Sequence, residues 1–69
     1  MRLSARNKID ATVTNITRGE ATANVALDAG GLRLVASITV EAAEELGLGE
    51  GSEVTAVIKA SDVIIAVPD

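Results

Sequence analysis

A chain of 69 residues has room for one domain, and this one must be stabilised without Cys, His or any aromatic side chain. Disulfides and a Cys/His zinc site are excluded, as are aromatic platforms on which a base could stack. A formal net charge of −4 argues against a broad field acting on phosphate backbones, but it leaves room for a local anion pocket set by its own cations and dipoles.

Along the chain, Ile9, Ala11 and Val13 alternate with Asp10, Thr12 and Thr14, the period of a half-buried strand. Thr17-Arg18-Gly19-Glu20 reads as a turn. A second strand follows, with Ala21, Ala23, Val25 and Leu27 on one face. Asp28-Ala29-Gly30-Gly31 is a turn between two alternating runs, and Leu32, Leu34, Ala36 and Ile38 define a third strand. Val40 to Leu46 is rich in helix formers with acids in its first turns, so the spacing predicts a short helix capped by Thr39 and stopped at Gly47. Alternation returns from Glu53 to Lys59. Ala60-Ser61-Asp62 breaks it, and Val63 to Val67 forms a final strand ended by Pro68. The order of three strands, helix and two strands is that of a mainly β, OB-like five-stranded small barrel, with its one helix between strands 3 and 4 and residues 1–69 forming a single domain.

With 48% hydrophobic residues and no large side chains, the core is built of Val, Ile, Leu and Ala. Such a short chain buries only about 60% of the surface that it exposes when unfolded. Self-association is the expected remedy, and the apolar final strand reads as one covered on both faces, by another subunit. No segment is long enough to span a membrane. Met1-Arg2-Leu3 runs into polar residues, so no secretory leader is expected and the expected compartment is the cytoplasm.

No residue set suggests an enzyme, since no nucleophile has a visible base. What remains is a kit for holding an oxyanion. Arg6 supplies a planar fork of donors and Lys59 a point charge, while Ser4, Thr39 and Ser61 supply hydroxyls. Backbone N–H groups at Ala5, Ala60 and the helix start add dipoles without net charge. Each residue also has a plain structural role open to it: Arg6 and Lys59 as solvated charges, Thr39 as a helix cap, and Ser4 and Ser61 as turn residues. Gly30-Gly31 lacks the pattern of a phosphate-binding loop, and Glu41 with Glu45 reads as a solvated helix face.

Several motifs in order then carry a resemblance. Ser4-Ala5-Arg6-Asn7 precedes a strand, and Ser37-Ile38-Thr39 leads into a helix ending Glu45-Leu46-Gly47-Leu48. Glu50-Gly51 follows, and then Val57-Ile58-Lys59-Ala60-Ser61-Asp62-Val63. Over essentially its whole length the chain resembles the molbindins, the small molybdate-binding proteins also called Mop or molybdenum-pterin-binding proteins. The resemblance implies an OB-like barrel assembled as a hexamer, a trimer of dimers, that binds molybdate between subunits for intracellular storage and homeostasis; tungstate, a tetrahedral dianion of similar size, is expected to be accepted too. It maps the main site onto Ser4, Ala5, Arg6, Thr39, Lys59, Ala60 and Ser61, and a second site near the threefold axis onto Gly19, Glu20, Ala21 and Thr22. Where some relatives carry a hydroxyl one turn into the helix, this chain has Ala42, so a contact is lost or taken over by backbone. Two rivals stand beside this reading. An OB-type nucleic-acid binder is disfavoured by the acidic, aromatic-free composition, and an oligomerisation or regulatory module would have no ligand of its own.

Overall fold

The computed structural model describes residues 2–69, so Met1, the first residue of the Met1-Arg2-Leu3 run, lies outside the described residues. Strands β1 (Asn7–Arg18), β2 (Thr22–Ala29), β3 (Leu32–Thr39) and β4 (Glu53–Ile58) form one antiparallel sheet in the spatial order β3-β2-β1-β4. Helix α1 (Val40–Glu45) connects β3 to β4, and one 3-10 turn, Ala60–Asp62, follows β4.

β1 is longer than its alternating residues predict, because it serves two partners. Its first half pairs with β4, from Asn7↔Ile58 to Thr12↔Glu53, and its second half pairs with β2, from Thr12↔Asp28 to Arg18↔Ala23. A bulge between Val13 and Asn15 lies in the second half. A bulge inserts one residue and resets the alternation, so Ile16 returns to the face packed on the core. That change of phase corrects the expected turn at Thr17–Glu20. Thr17 and Arg18 belong to the strand, and the reversal occupies only Gly19–Ala21.

The β2–β3 hairpin turns through Gly30 and Gly31, at φ 63° and 93°. Two consecutive positive φ values are what a right-twisted two-residue hairpin needs, and only glycine adopts them without strain. The Asp28 carboxylate accepts from the Gly31 N–H at 3.0 Å and holds the turn. At the start of α1 the Thr39 hydroxyl accepts from the Ala42 N–H at 3.0 Å, a side-chain N-cap. At its end Leu48 N–H donates to Ala43 and Gly47 N–H to Glu44, with Gly47 at φ 63°. This paired closure satisfies carbonyls that the helix leaves open.

The buried core is Ala11, Val13, Val25, Leu27 and Ala29, flanked by Ile16, Leu34, Ala36, Ile38, Leu48, Val54 and Ala56. Its largest fully buried side chains are only valines, Val13 and Val25. β3 and β4 are the two edges of the sheet. Residues of both, including Leu34, Ala36, Ala56 and Ile58, line an open apolar cleft of about 310 Å³.

The fifth strand expected at Val63–Val67 is not formed within the chain. No ladder includes these residues, and Ile64, Ile65 and Val67 are 91%, 82% and 81% exposed. A run that is apolar on both faces needs cover on both, and a lone sheet with one short helix supplies none. β4 also ends at Ile58 rather than Lys59, because the Lys59 carbonyl is taken by the Asp62 N–H at 2.9 Å, which starts the 3-10 turn.

Leu27→Ala is expected to destabilise the protein by about 3 kcal/mol, since a buried leucine is replaced in a core with no large neighbour to fill the gap. Urea denaturation should show a lower midpoint with an unchanged slope.

Candidate oxyanion site

The expected donors fall into two groups, and β1 sets the position of each. The first group lies at its N-terminal end. Ala5 is 7% exposed and fixes the segment before the strand, while Ser4 and Arg6 on either side of it are exposed. Asn7↔Ile58 is the first rung of the β1–β4 ladder. Extending that antiparallel register by one residue sets Arg6 opposite Lys59, so the two cations share one end of the sheet.

The 3-10 turn after Lys59 adds dipoles. Its internal bonds run from Asp62 N–H to the Lys59 carbonyl and from Val63 N–H to the Ala60 carbonyl. Among the described residues, the N–H groups of Ala60 and Ser61, at the start of the turn, have no backbone acceptor. None of the side-chain hydrogen bonds among the described residues engages Ser4, Arg6, Lys59 or Ser61. A guanidinium, an ammonium, two hydroxyls and two N–H groups thus flank one end of the β1–β4 ladder, with no side-chain hydrogen bond among the described residues engaging them.

The second group lies at the C-terminal end of β1. Thr39 pairs with Thr22 across β2 and β3, and the Val40 N–H donates to the Ala21 carbonyl at 2.9 Å. The Gly19–Thr22 turn closes through a 2.8 Å bond from Gly19 N–H to the Thr22 carbonyl. Thr39 of the expected main site therefore pairs with Thr22 of the expected second site, and its neighbour Val40 is bonded to Ala21. As a cap, the Thr39 hydroxyl uses a lone pair, and its own hydrogen remains free to donate. The Ala42 N–H is consumed by that cap, as is the Val40 N–H by Ala21.

The ladder keeps Thr39 apart from Arg6 and Lys59, since they belong to opposite ends of the twelve-residue β1. One chain presents two partial donor sets. Arg18, expected in the turn but in fact the last residue of β1, adds a cation beside the Gly19–Thr22 turn. A basic residue immediately before a turn carrying Thr22 was the available signal. A surface depression of about 620 Å³ lies elsewhere and is lined in part by Asp10, Asp28 and Glu53. Its carboxylates would repel an anion.

The TOBE domain model matches residues 3–65. The chain belongs to the TOBE-domain family, among its molybdenum-pterin-binding (Mop, or molbindin) members. It is 46% identical over 66 residues to molybdenum-pterin-binding protein 1 of Clostridium pasteurianum, covering 94% of this chain and 97% of that one. Among solved structures, the molybdate-binding protein from Sporomusa ovata superposes with a TM-score of 0.94 at 39% identity, over 97% of this chain and all of that one. The cytoplasmic molybdate-binding protein ModG, in a form with molybdate bound, gives a TM-score of 0.94 at 48% identity; the match spans 99% of this chain and 49% of ModG. The fold is mainly β and OB-like, as in these neighbours.

Thr39→Ala should cost about 1 kcal/mol through loss of the cap. Thr39→Asp keeps a cap acceptor and should melt within a degree or two of the wild type, yet it places a carboxylate where the donor hydrogen was. Thermal denaturation of the two variants checks the assignment of the cap.

Proposed function

We infer that this chain is one Mop domain that reversibly binds molybdate, and tungstate with it, in the boundary between copies of itself, as a cytoplasmic store that buffers the oxyanion. The observation that carries this reading is the donor set flanking the last β1–β4 rung, Asn7↔Ile58: Arg6 precedes it on one strand and Lys59 follows it on the other, with the N–H groups of Ala60 and Ser61 next in the chain and without a backbone acceptor among the described residues. Charge-assisted bonds from a guanidinium fork and an ammonium suit a tetrahedral dianion. Backbone N–H groups add attraction without adding charge to be neutralised. Relatives named for molybdate or molybdenum-pterin binding match nearly the whole chain, and the ligand class is taken from them. The kit is suited to holding an anion and releasing it unchanged, and no acid, base or nucleophile constellation points to turnover.

Two observations favour a boundary between copies. The donors on one chain are split between the ends of β1, so that Thr39 of one copy can complete the set that Arg6 and Lys59 of another begin. The apolar Val63–Val67 tail is uncovered, while the apolar cleft between β3 and β4 offers two free strand edges. A tail from a second copy, laid in that cleft, would close the barrel as its fifth strand and bury both surfaces. This is consistent with the hexamer, a trimer of dimers, that the resemblance implies. In that assembly Gly19, Glu20, Ala21 and Thr22 form the second site. An anion bound only by assembled chains would also stabilise the assembly.

The exposed tail by itself would equally serve an oligomerisation module without a ligand, and titration with molybdate separates the two readings. Arg6→Ala and Lys59→Ala are each expected to weaken molybdate binding by roughly 10- to 100-fold, as for loss of a charge-assisted hydrogen bond, with circular dichroism unchanged. Affinity equal to that of the wild type in both variants would remove the site assignment. Ile64→Asp should shift the mass measured by light scattering toward smaller species.

A further inference from the structure

Asn7 is a polar residue in an apolar position. In β1 it shares the alternating face of Ala11 and Val13, both buried. Asparagine is a poor strand former, and a Val or Ile there would suit a half-buried strand better. Asn7 is half-buried, and its Nδ2 donates to the Ile58 carbonyl at 3.2 Å. Among the described residues this is the one side-chain hydrogen bond between β1 and β4.

The position of this bond gives it its role. Asn7↔Ile58 is the last rung before the ladder ends, and the next residues outward are Arg6 and Lys59. Strand ends fray where the pairing stops. Here the fraying is favoured further, because two like charges flank the last rung, and among the described residues no carboxylate is hydrogen-bonded to either. A side-chain bond on the final rung ties the two strand ends together without spending a charge. It also restrains the chain just before the free N–H groups of Ala60 and Ser61.

We propose that Asn7 is a positioning residue for the anion site, clipping the ends of β1 and β4 so that Arg6 and Lys59 are held converged before the anion arrives. The proposal rests on the reading of this sheet end as an oxyanion site. Affinity then depends on Asn7 through preorganisation, since an unclipped site must spend binding free energy to bring two repelling cations together.

The test is calorimetric titration of the full-length protein with molybdate, using Asn7→Leu and Asn7→Ala. Leucine has the shape of asparagine without its donor, so Asn7→Leu should retain the assembly and melt at or above the wild-type temperature even if Asn7→Ala does not. Both variants should bind molybdate roughly tenfold more weakly, the size of one lost hydrogen bond. In a Lys59→Ala background, where no second cation needs to be held, Asn7→Leu should change affinity by less than about twofold. Wild-type affinity in Asn7→Leu would overturn the proposal, and so would an equal loss in both backgrounds, which is the behaviour of a general structural staple. A wild-type protein that gives no heat with molybdate would overturn the binding reading itself, and the positioning role with it.

Discussion

β1 is paired with β4 through its first half and with β2 through its second, and the place of every candidate donor follows from that division. The rung at Asn7↔Ile58 fixes where the Ser4–Arg6 segment meets the Lys59–Ser61 turn. The rung at Arg18↔Ala23 fixes where the Gly19–Thr22 turn meets Thr39 and α1. The bulge between Val13 and Asn15 keeps both halves facing one core despite the change of partner. A strand shared in this way holds two polar corners apart on one rigid element, which suits a ligand held by more than one copy.

The same economy explains the apolar surface. With valines as its largest fully buried side chains, the core of one chain is thin, and a small domain without disulfides or metal has few other sources of stability. The Val63–Val67 tail and the cleft between β3 and β4 are the surfaces that a second copy can cover. Assembly and anion binding are therefore coupled in the proposed function: the contacts that bury the tail bring partial donor sets from different copies together, and the anion offsets the repulsion among the cations gathered there.

Much of this was legible in the residues. Alternation marked the β2 and β3 faces, Gly30-Gly31 marked the hairpin, and Thr39 with Gly47 marked the ends of α1, because each is a local signal with a local cause. The far end of β1 departs from the expected turn because a bulge changes the phase of alternation, and nothing in Val13-Thr14-Asn15 announces an extra residue. The tail from Val63 to Val67 has the composition of a strand, yet composition cannot say which chain supplies its neighbours. The proximity of Thr39 to the Gly19–Thr22 turn is a matter of register between β2 and β3, fixed by long-range pairing. Arg18 and the Asn7 side chain have no local signal of a role for the same reason: each matters through the residue that pairing sets beside it.

The central claim is that the anion is held by assembled chains, at boundaries where donors from different copies meet. The most direct measurement combines calorimetric titration with molybdate and sedimentation of the same samples across a range of protein concentrations. The account predicts saturable binding by the assembled species, with molybdate shifting the distribution toward the assembly. Molybdate bound with equal affinity by a single-chain species, or a stable assembly that takes up none, would contradict it.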